Sequence, residues 1–163
     1  MNGTYPSYFV YGPIVFSTAT LQFVDGLVSG SLGGTRMTYL GVAGNPLATR
    51  MGEKPAFDGE QLVVVSSPFF PHRLAKGYVN PFMQVVKTVN GVPIKNLKHL
   101  VEILRDSKDK YITIDFDGRG APIIVFPRKE MIAATDSILT DNDIRSQGTP
   151  DVMSVWNAQS AAK

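Results

Sequence analysis

The sequence predicts an α+β fold in which strands outnumber helices. Three segments carry this prediction: residues 84–104 have the pattern of a strand, a tight turn and a helix, residues 110–126 that of a hairpin, and residues 8–16 that of two short strands. Helices and strands do not alternate along the chain, so the sequence does not favour a parallel sheet with crossover helices.

The clearest strand and turn lie between residues 84 and 91. Val85, Val86 and Val89 are β-branched residues, which favour strands. They are followed by Asn90 and Gly91, a pair that strongly favours a two-residue hairpin turn because both residues tolerate a positive φ. A strand that ends in a tight turn is therefore predicted here.

An amphipathic helix is predicted to follow that turn. Pro93 excludes a helix through its own position and Asn96 is a good N-cap, so the helix is expected to begin near Asn96. Apolar residues then recur at the i, i+3, i+4 and i+7 positions of one helical face, and these are Leu97, Leu100, Val101 and Leu104.

Weaker patterns predict the rest of the fold. Residues 8–16 are apolar and β-rich, with Gly12 and Pro13 as a tight loop between two strand pieces. Apolar and polar residues alternate in residues 110–116, which is typical of a half-buried strand. The other predicted elements are a helix at residues 20–28, a helical turn within the loop 45–59, a buried strand at 61–66, a returning strand at 122–126, a helix at 129–139 and a frayed tail at 158–163.

The composition excludes several classes of function. The 163 residues include 16 basic and 14 acidic ones without a basic stripe, so no nucleic-acid partner is expected. The absence of cysteine excludes disulfides, thiolate catalysis and cysteine-based zinc sites. No apolar run reaches the length of about 18 residues that a membrane span needs, and residues 1–6 lack the basic region of a signal peptide. We expect a soluble chain, and its compartment stays open.

The sequence offers no catalytic constellation. His72 and His99 are the only histidines, and neither can be paired with a nucleophile, so both are expected to be exposed or half-exposed. The glycine-rich residues 29–34 lack the Gly-x-Ser-x-Gly spacing of a nucleophile turn. Two histidines without an acidic ligand motif do not favour a metal site. We therefore expect that this chain is not an enzyme and uses no cofactor or metal.

Four segments together resemble one known family. Residues 86–100 resemble the strand, turn and helix of the PDZ domains of Deg/HtrA serine proteases. Residues 8–16 resemble the segment of that family in which a carboxylate-binding loop leads into the peptide-binding strand, and residues 110–126 its closing hairpin. Residues 133–140 are similar to the extension after the last PDZ domain of plant-type Deg proteases, whereas residues 24–61 have no counterpart.

The resemblance implies a more specific architecture than the residue patterns do. It implies a partly open β-barrel or sandwich with a helix along a groove and a short C-terminal helix. Residues 1–126 would then form the PDZ-like domain, with a loop and helix insert at about residues 24–60. Residues 127–163 would form a helical extension and a frayed tail.

The resemblance also implies a peptide-binding groove. An extended peptide would pair with an open edge at residues 14–17 by β-augmentation. The groove residues would be Gly12, Pro13, Ile14, Val15, Phe16, Asn96, Leu100 and Ile103. For Leu100 a core position is an equal alternative, because a helix packed on a sheet needs a wide apolar stripe. Pro13 cannot donate a hydrogen bond, so we expect weak recognition of C-terminal peptides, binding of an internal segment, or a groove filled by the protein's own residues.

Two functions follow from the resemblance. The first is a non-catalytic PDZ-like domain of a serine endopeptidase, with peptides or unfolded segments and the protease domain of the parent chain as partners. The second is a structural or oligomerisation module whose groove is occluded by residues 24–61 or by the C-terminal tail. A free edge beside residues 14–16 favours the first, and a strand or loop of the same chain lying there favours the second. Homo-oligomeric contacts are among the expected interactions.

Overall fold

The structure is a computed structural model that describes residues 6–50 and 53–158. Within these residues seven strands form one antiparallel sheet. The strands are β1 (Tyr8–Tyr11), β2 (Ile14–Thr18), β3 (Val63–Val65), β4 (Val85–Val89), β5 (Val92–Pro93), β6 (Tyr111–Asp117) and β7 (Ile123–Pro127). Their order is β1-β2-β3-β4-β6-β7, with β5 paired to β4. The predicted α+β, strand-rich fold is confirmed.

Six helices accompany the sheet in the described part of the chain. They are α1 (Leu21–Val28), α2 (Gly33–Val42), α3 (Pro46–Thr49), α4 (Leu97–Asp106), α5 (Arg128–Asp141) and α6 (Pro150–Trp156). The helices predicted near residues 20–28, 97–104 and 129–139 are confirmed, as is the helical turn within residues 45–59. None of the six has the length and apolar character that crossing a bilayer requires, and the longest, α5, has 14 residues.

The turn and cap that the sequence predicted before α4 are both present. Asn90 and Gly91 have φ values of 49° and 78°, as a type I′ turn requires, and they join β4 to β5. The Asn96 side chain accepts a hydrogen bond from the His99 N–H at 2.9 Å and caps α4. These two local signals fix where α4 begins.

The middle of the sheet is covered on both faces. In β3, Val63 and Val65 belong to the main core, which also contains the apolar face of α4, while Val64 faces a second apolar cluster. Helices α1, α2 and α3 supply the other side of that cluster through Leu27, Leu40 and Leu47. This explains why β3 consists only of valines, since a strand buried on both faces has no polar side.

Two helices were not predicted from the sequence. Helix α2 contains Gly33, Gly34 and Gly41, and glycine lowers helix propensity. It forms because Leu40 is buried in the second cluster, so tertiary packing outweighs local propensity. Helix α6 lies within residues 127–163, for which a helical extension was expected, but only the helix at residues 129–139 was predicted there.

Candidate functional site

Strand β2, where the sequence predicted a peptide-binding edge, is paired on both sides. Its residues Ile14 to Ser17 lie opposite Tyr11 to Tyr8 of β1, and Phe16 to Thr18 lie opposite Val65 to Val63 of β3. The open edge expected at residues 14–17 is therefore absent, and that expectation was wrong. The reason is a two-residue loop that turns β1 directly back onto β2.

The loop residues Gly12 and Pro13 offer no free N–H donor to a carboxylate. Gly12 has a φ of +56°, which suits the first position of a tight hairpin turn, and a Cβ there would lie 2.5 Å from Met131 Sδ. The Gly12 N–H donates to Thr135 Oγ1 at 2.8 Å, and Pro13 has no N–H. In a two-residue hairpin the Ile14 N–H bonds to the Tyr11 carbonyl, so none of these residues offers a free donor.

Strand β1 takes the position in the sheet that an added peptide strand would need. The side chains of Phe9 and Tyr11 are fully buried in the main core, where they share the cluster with Leu100 of α4. The chain thus supplies its own strand and its own side chains to the space beside β2. A strand of the same chain lies there, as in the second alternative, but it is β1 and not residues 24–61 or the C-terminal tail.

The outer edge of β1 is also covered, by residues 147–149. The Val10 N–H donates to the Gln147 carbonyl at 2.7 Å, and Gln147 Nε2 donates to the Val10 carbonyl at 3.0 Å. The Thr149 N–H donates to the Tyr8 carbonyl at 3.1 Å. The outward-facing carbonyls of Tyr8 and Val10 and the Val10 N–H therefore all have partners within the chain.

Residues 147–156, which we call the closing segment, continue from this edge onto α4. Val152 of α6 is fully buried in the main core. The Trp156 ring lies 5.1 Å from the Phe9 ring, centroid to centroid, and Arg105 Nη1 of α4 donates to the Val155 carbonyl at 2.8 Å. The closing segment thus fastens β1 and α4 to each other from the outside.

The half-buried carboxylate of Asp151 holds the start of α6. The Ser7 hydroxyl donates to Asp151 Oδ2 at 2.7 Å, which links the residue before β1 to the closing segment. Burial alone would raise the pKa of Asp151, but hydrogen bonds from the Thr149 and Ser7 hydroxyls and from backbone N–H groups outweigh burial and hold that pKa below its ordinary value. The carboxylate therefore stays ionised and keeps accepting these bonds.

The hydroxyl of Tyr11 is the one buried side-chain polar atom in the described residues without a hydrogen-bond partner. Burial raises the pKa of Tyr11 to about 12, although the nearby Arg128 opposes the rise. A cavity of about 120 Å³ lies next to this residue, between α5 and the closing segment. A buried donor without an acceptor costs about 1–3 kcal/mol of stability.

The other predicted groove residues serve the fold. Asn96 caps α4 and also donates through Nδ2 to the Gly59 carbonyl at 3.2 Å. Leu100 is fully buried, so of its two alternatives the core position is the one observed. Ile103 is half-buried against the main core, and Val15 is half-buried on β2. Peptide binding by these residues stays a prediction, and the structure does not present them as one open groove.

The sequence analysis did not predict the closing segment or the hydrogen bond from the Gly12 N–H to Thr135 Oγ1. A signal for α6 was present, because Thr149, Pro150 and Asp151 are residues typical of a helix start. Apolar residues follow at helical spacing, at Val152, Val155 and Trp156. Which surface this helix covers could not be inferred from that pattern.

Each of the two histidines accepts a hydrogen bond from a backbone N–H. His99 Nδ1 accepts from the Lys95 N–H at 3.1 Å, and burial together with the charge of Lys95 lowers the pKa of His99. His72 Nδ1 accepts from the Leu74 N–H at 3.2 Å and caps a 3₁₀ turn, Arg73–Ala75. Both are half-buried, and the described residues contain no metal-binding group of three or more acidic residues and histidines.

Comparisons with known proteins find similar sequences over most of the chain. A sequence profile described as PDZ domain matches residues 2–151. The curated protein "Protease Do-like 2, chloroplastic" of Arabidopsis thaliana is 27% identical over 153 residues, which cover 94% of this chain and 23% of that protein. Two mitochondrial proteins of the same plant, Do-like 12 and Do-like 3, are 28% and 30% identical over 86% and 68% of this chain and 22% and 18% of their own length. The chain spans less than a quarter of these relatives.

Replacing Tyr11 with phenylalanine is expected to stabilise the protein. Tyr11→Phe removes the unpaired hydroxyl and should raise the free energy of unfolding, measured by urea denaturation, by about 1 kcal/mol. The matched control is Tyr8→Phe, because the Tyr8 hydroxyl donates to the Ser146 carbonyl at 3.0 Å and its loss should cost about 0.5 kcal/mol. A Tyr11→Phe variant less stable than Tyr8→Phe would show that the Tyr11 hydroxyl is satisfied.

His99 is expected to make stability depend on pH just below neutrality. Its folded pKa is lowered, so the unfolded chain binds the proton more tightly and protonation favours unfolding. The contribution is complete above the ordinary histidine pKa of about 6.5 and is lost as the pH falls below it. Urea midpoints at pH about 7.5 and about 5.5 should differ less in His99→Gln than in the unmodified chain. Lys98→Gln, on the same helix, should keep the full difference, and an equal difference in His99→Gln would refute the assignment.

Proposed function

Because the chain belongs to the PDZ domain family, we propose that it is a non-catalytic PDZ module of a Do-like protease in which the chain's own strand fills the peptide groove. The observation that carries this proposal is the pairing of β1 along β2 from Tyr8 to Tyr11. A module of this kind contributes structural contacts within the parent protein, and it does not capture free peptides at β2.

The energetics favour a closed groove. A peptide could pair with β2 only after β1 had left, which would break the backbone bonds between the two strands and expose Phe9 and Tyr11 to water. Each of these side chains contributes about 1.5–3 kcal/mol through burial. The incoming peptide would replace bonds of the same kind and would also lose its conformational freedom on binding. Pairing of β1 with β2 is therefore more favourable than pairing of a free peptide with β2.

The insert between β2 and β3 supports a role in protein contacts. In residues 19–49 the only charged residues are Asp25 and Arg36. Tyr39 and Val42 on α2 are 69% and 73% exposed, and Leu21 and Leu32 are exposed as well. Uncharged apolar surface of this kind marks sites that other protein surfaces cover.

The parent protein belongs to the proposal as well. The relatives are named as Do-like proteins, one of them as a chloroplastic protease, and each is more than four times as long as the part that this chain matches. We infer a serine endopeptidase of the Deg/HtrA type in which this module contacts the protease domain or a neighbouring subunit and so regulates activity.

Peptide titration tests the closed groove. Isothermal titration with hydrophobic peptides that carry a free C-terminal carboxylate should give no saturable binding tighter than about 100 μM. Trp156→Ser, which loosens the closing segment and leaves the β1 hairpin intact, should give the same result, since β1 alone closes β2. Tight binding that disappears when the peptide is amidated would refute the proposal. Binding that appears only in Trp156→Ser would show that the closing segment, and not β1, closes the groove.

A further inference from the structure

The edge of the sheet opposite the closed groove is open. β7 is the last strand in the order, and no strand among the described residues pairs with its outer side. The direction of its backbone groups follows from the ladder with β6. The Arg128 N–H donates to the Lys110 carbonyl at 2.9 Å, which makes Tyr111 and Pro127 a non-hydrogen-bonded pair.

Non-hydrogen-bonded pairs recur at every second residue of an antiparallel ladder. Val125 and Ile123 therefore also form non-hydrogen-bonded pairs with β6, and their N–H and C=O groups face away from it. An independent contact agrees, because the Tyr78 hydroxyl donates to the Val125 carbonyl at 2.5 Å from the outer side. Both backbone groups of Ile123 and the N–H of Val125 remain without a partner among the described residues.

Apart from the Tyr78 hydroxyl on the Val125 carbonyl, the middle of this edge is unprotected. Natural edge strands avoid pairing with other chains by means of charged residues, bulges or prolines. Here Ile123 is 62% exposed and Val125 is 39% exposed, and prolines occur only at the ends, at Pro122 and Pro127. The exposed β-branched residues and free backbone groups suit the addition of one extended segment.

A basic pocket lies at the C-terminal end of the same strand. It has a volume of about 500 Å³. Its lining residues are Lys108, Lys110, Pro127, Arg128, Lys129 and Glu130. The ion pairs of the described residues involve only Arg50 and Arg105, so none of the basic groups in this pocket is paired with a carboxylate there. In a chain of net charge +2, this is a marked local excess of positive charge.

We propose that β7 and the basic pocket together dock an extended, acidic segment of a partner protein. The strand edge selects a polypeptide, because nucleic acids and lipids have no amide backbone to pair with Ile123 and Val125. The pocket selects Asp and Glu side chains by charge complementarity. Val125 and Pro127 lie about 7 Å apart along the strand, so the acidic residues directly adjoin the paired stretch. In the commoner antiparallel arrangement they precede it.

Fluorescence anisotropy with a designed peptide tests this surface on the full chain. The probe is a fluorescein-labelled peptide with a run of glutamates followed by alternating threonine and valine. It should bind, and its affinity should fall roughly tenfold in the double variant Lys110→Glu and Lys129→Glu. The control variant Lys54→Glu and Lys98→Glu changes the net charge equally at exposed sites outside the pocket, and it should leave the affinity within about twofold.

A backbone variant separates strand pairing from simple charge attraction. Val125→Pro removes an N–H that faces solvent and takes no bond from the ladder with β6, so the fold is expected to persist, as circular dichroism can check. Probe affinity should fall roughly fivefold in Val125→Pro. A probe with proline in place of each valine should lose affinity to a similar extent on the unmodified chain.

Several outcomes would overturn the proposal. Equal binding of a glutamate run without the threonine–valine stretch, or unchanged binding in a folded Val125→Pro variant, would leave only charge attraction. Failure of the probe to bind, together with pocket-dependent binding of phosphatidylserine vesicles or a DNA duplex, would assign the pocket to another class of partner. Each of these results is independent of whether β1 closes the groove at β2.

Discussion

Backbone hydrogen bonds between β1 and β2 are the constraint on which the rest of the domain depends. The loop between the strands has only two residues, Gly12 and Pro13. A loop this short places β1 antiparallel to β2 and directly beside it. Once β1 lies beside β2, Phe9 and Tyr11 enter the core under α4, and the loop donor of Gly12 becomes available to Thr135 of α5. In the structure, β1 thereby occupies the position beside β2 that an added peptide strand would need.

The two edges of the sheet differ in whether their outward backbone groups have partners. At β1, the closing segment satisfies the outward backbone groups and fixes itself through Val152, Trp156 and the Ser7–Asp151 hydrogen bond. At β7, both outward groups of Ile123 and the N–H of Val125 have no partner among the described residues, and they lie beside a basic pocket without ion pairs. Of the two edges, only β7 has outward backbone groups without partners among the described residues, and for this reason we place the proposed docking of an extended chain there.

The sequence predicted local features well and long-range ones poorly. Asn90-Gly91, the Asn96 cap and the α4 stripe act through neighbouring residues, so their types and spacing were sufficient. The strand pieces at residues 8–16 were also predicted, but an apolar strand does not specify its partner. Their pairing therefore came only from the structure. Helix α2 was missed because its glycines lower local helix propensity, while Leu40 packs against residues that are distant in the sequence. The closing segment was missed because the surface that it covers is more than 130 residues away in the sequence, as from Val10 to Gln147.

Native-state hydrogen exchange at Phe9 and Tyr11 is the measurement that bears most directly on the closed groove. The backbone N–H of Val10 faces away from β2 and donates to the Gln147 carbonyl. Because backbone groups alternate in direction along a strand, the N–H groups of Phe9 and Tyr11 face β2 and bond to it. If β1 permanently fills the groove, both amides should exchange with the same free energy as Ile112 in β6, that is, only when the whole domain unfolds. Exchange of Phe9 and Tyr11 at a free energy lower by about 2 kcal/mol or more would mean that β1 detaches locally and that the groove opens to peptides.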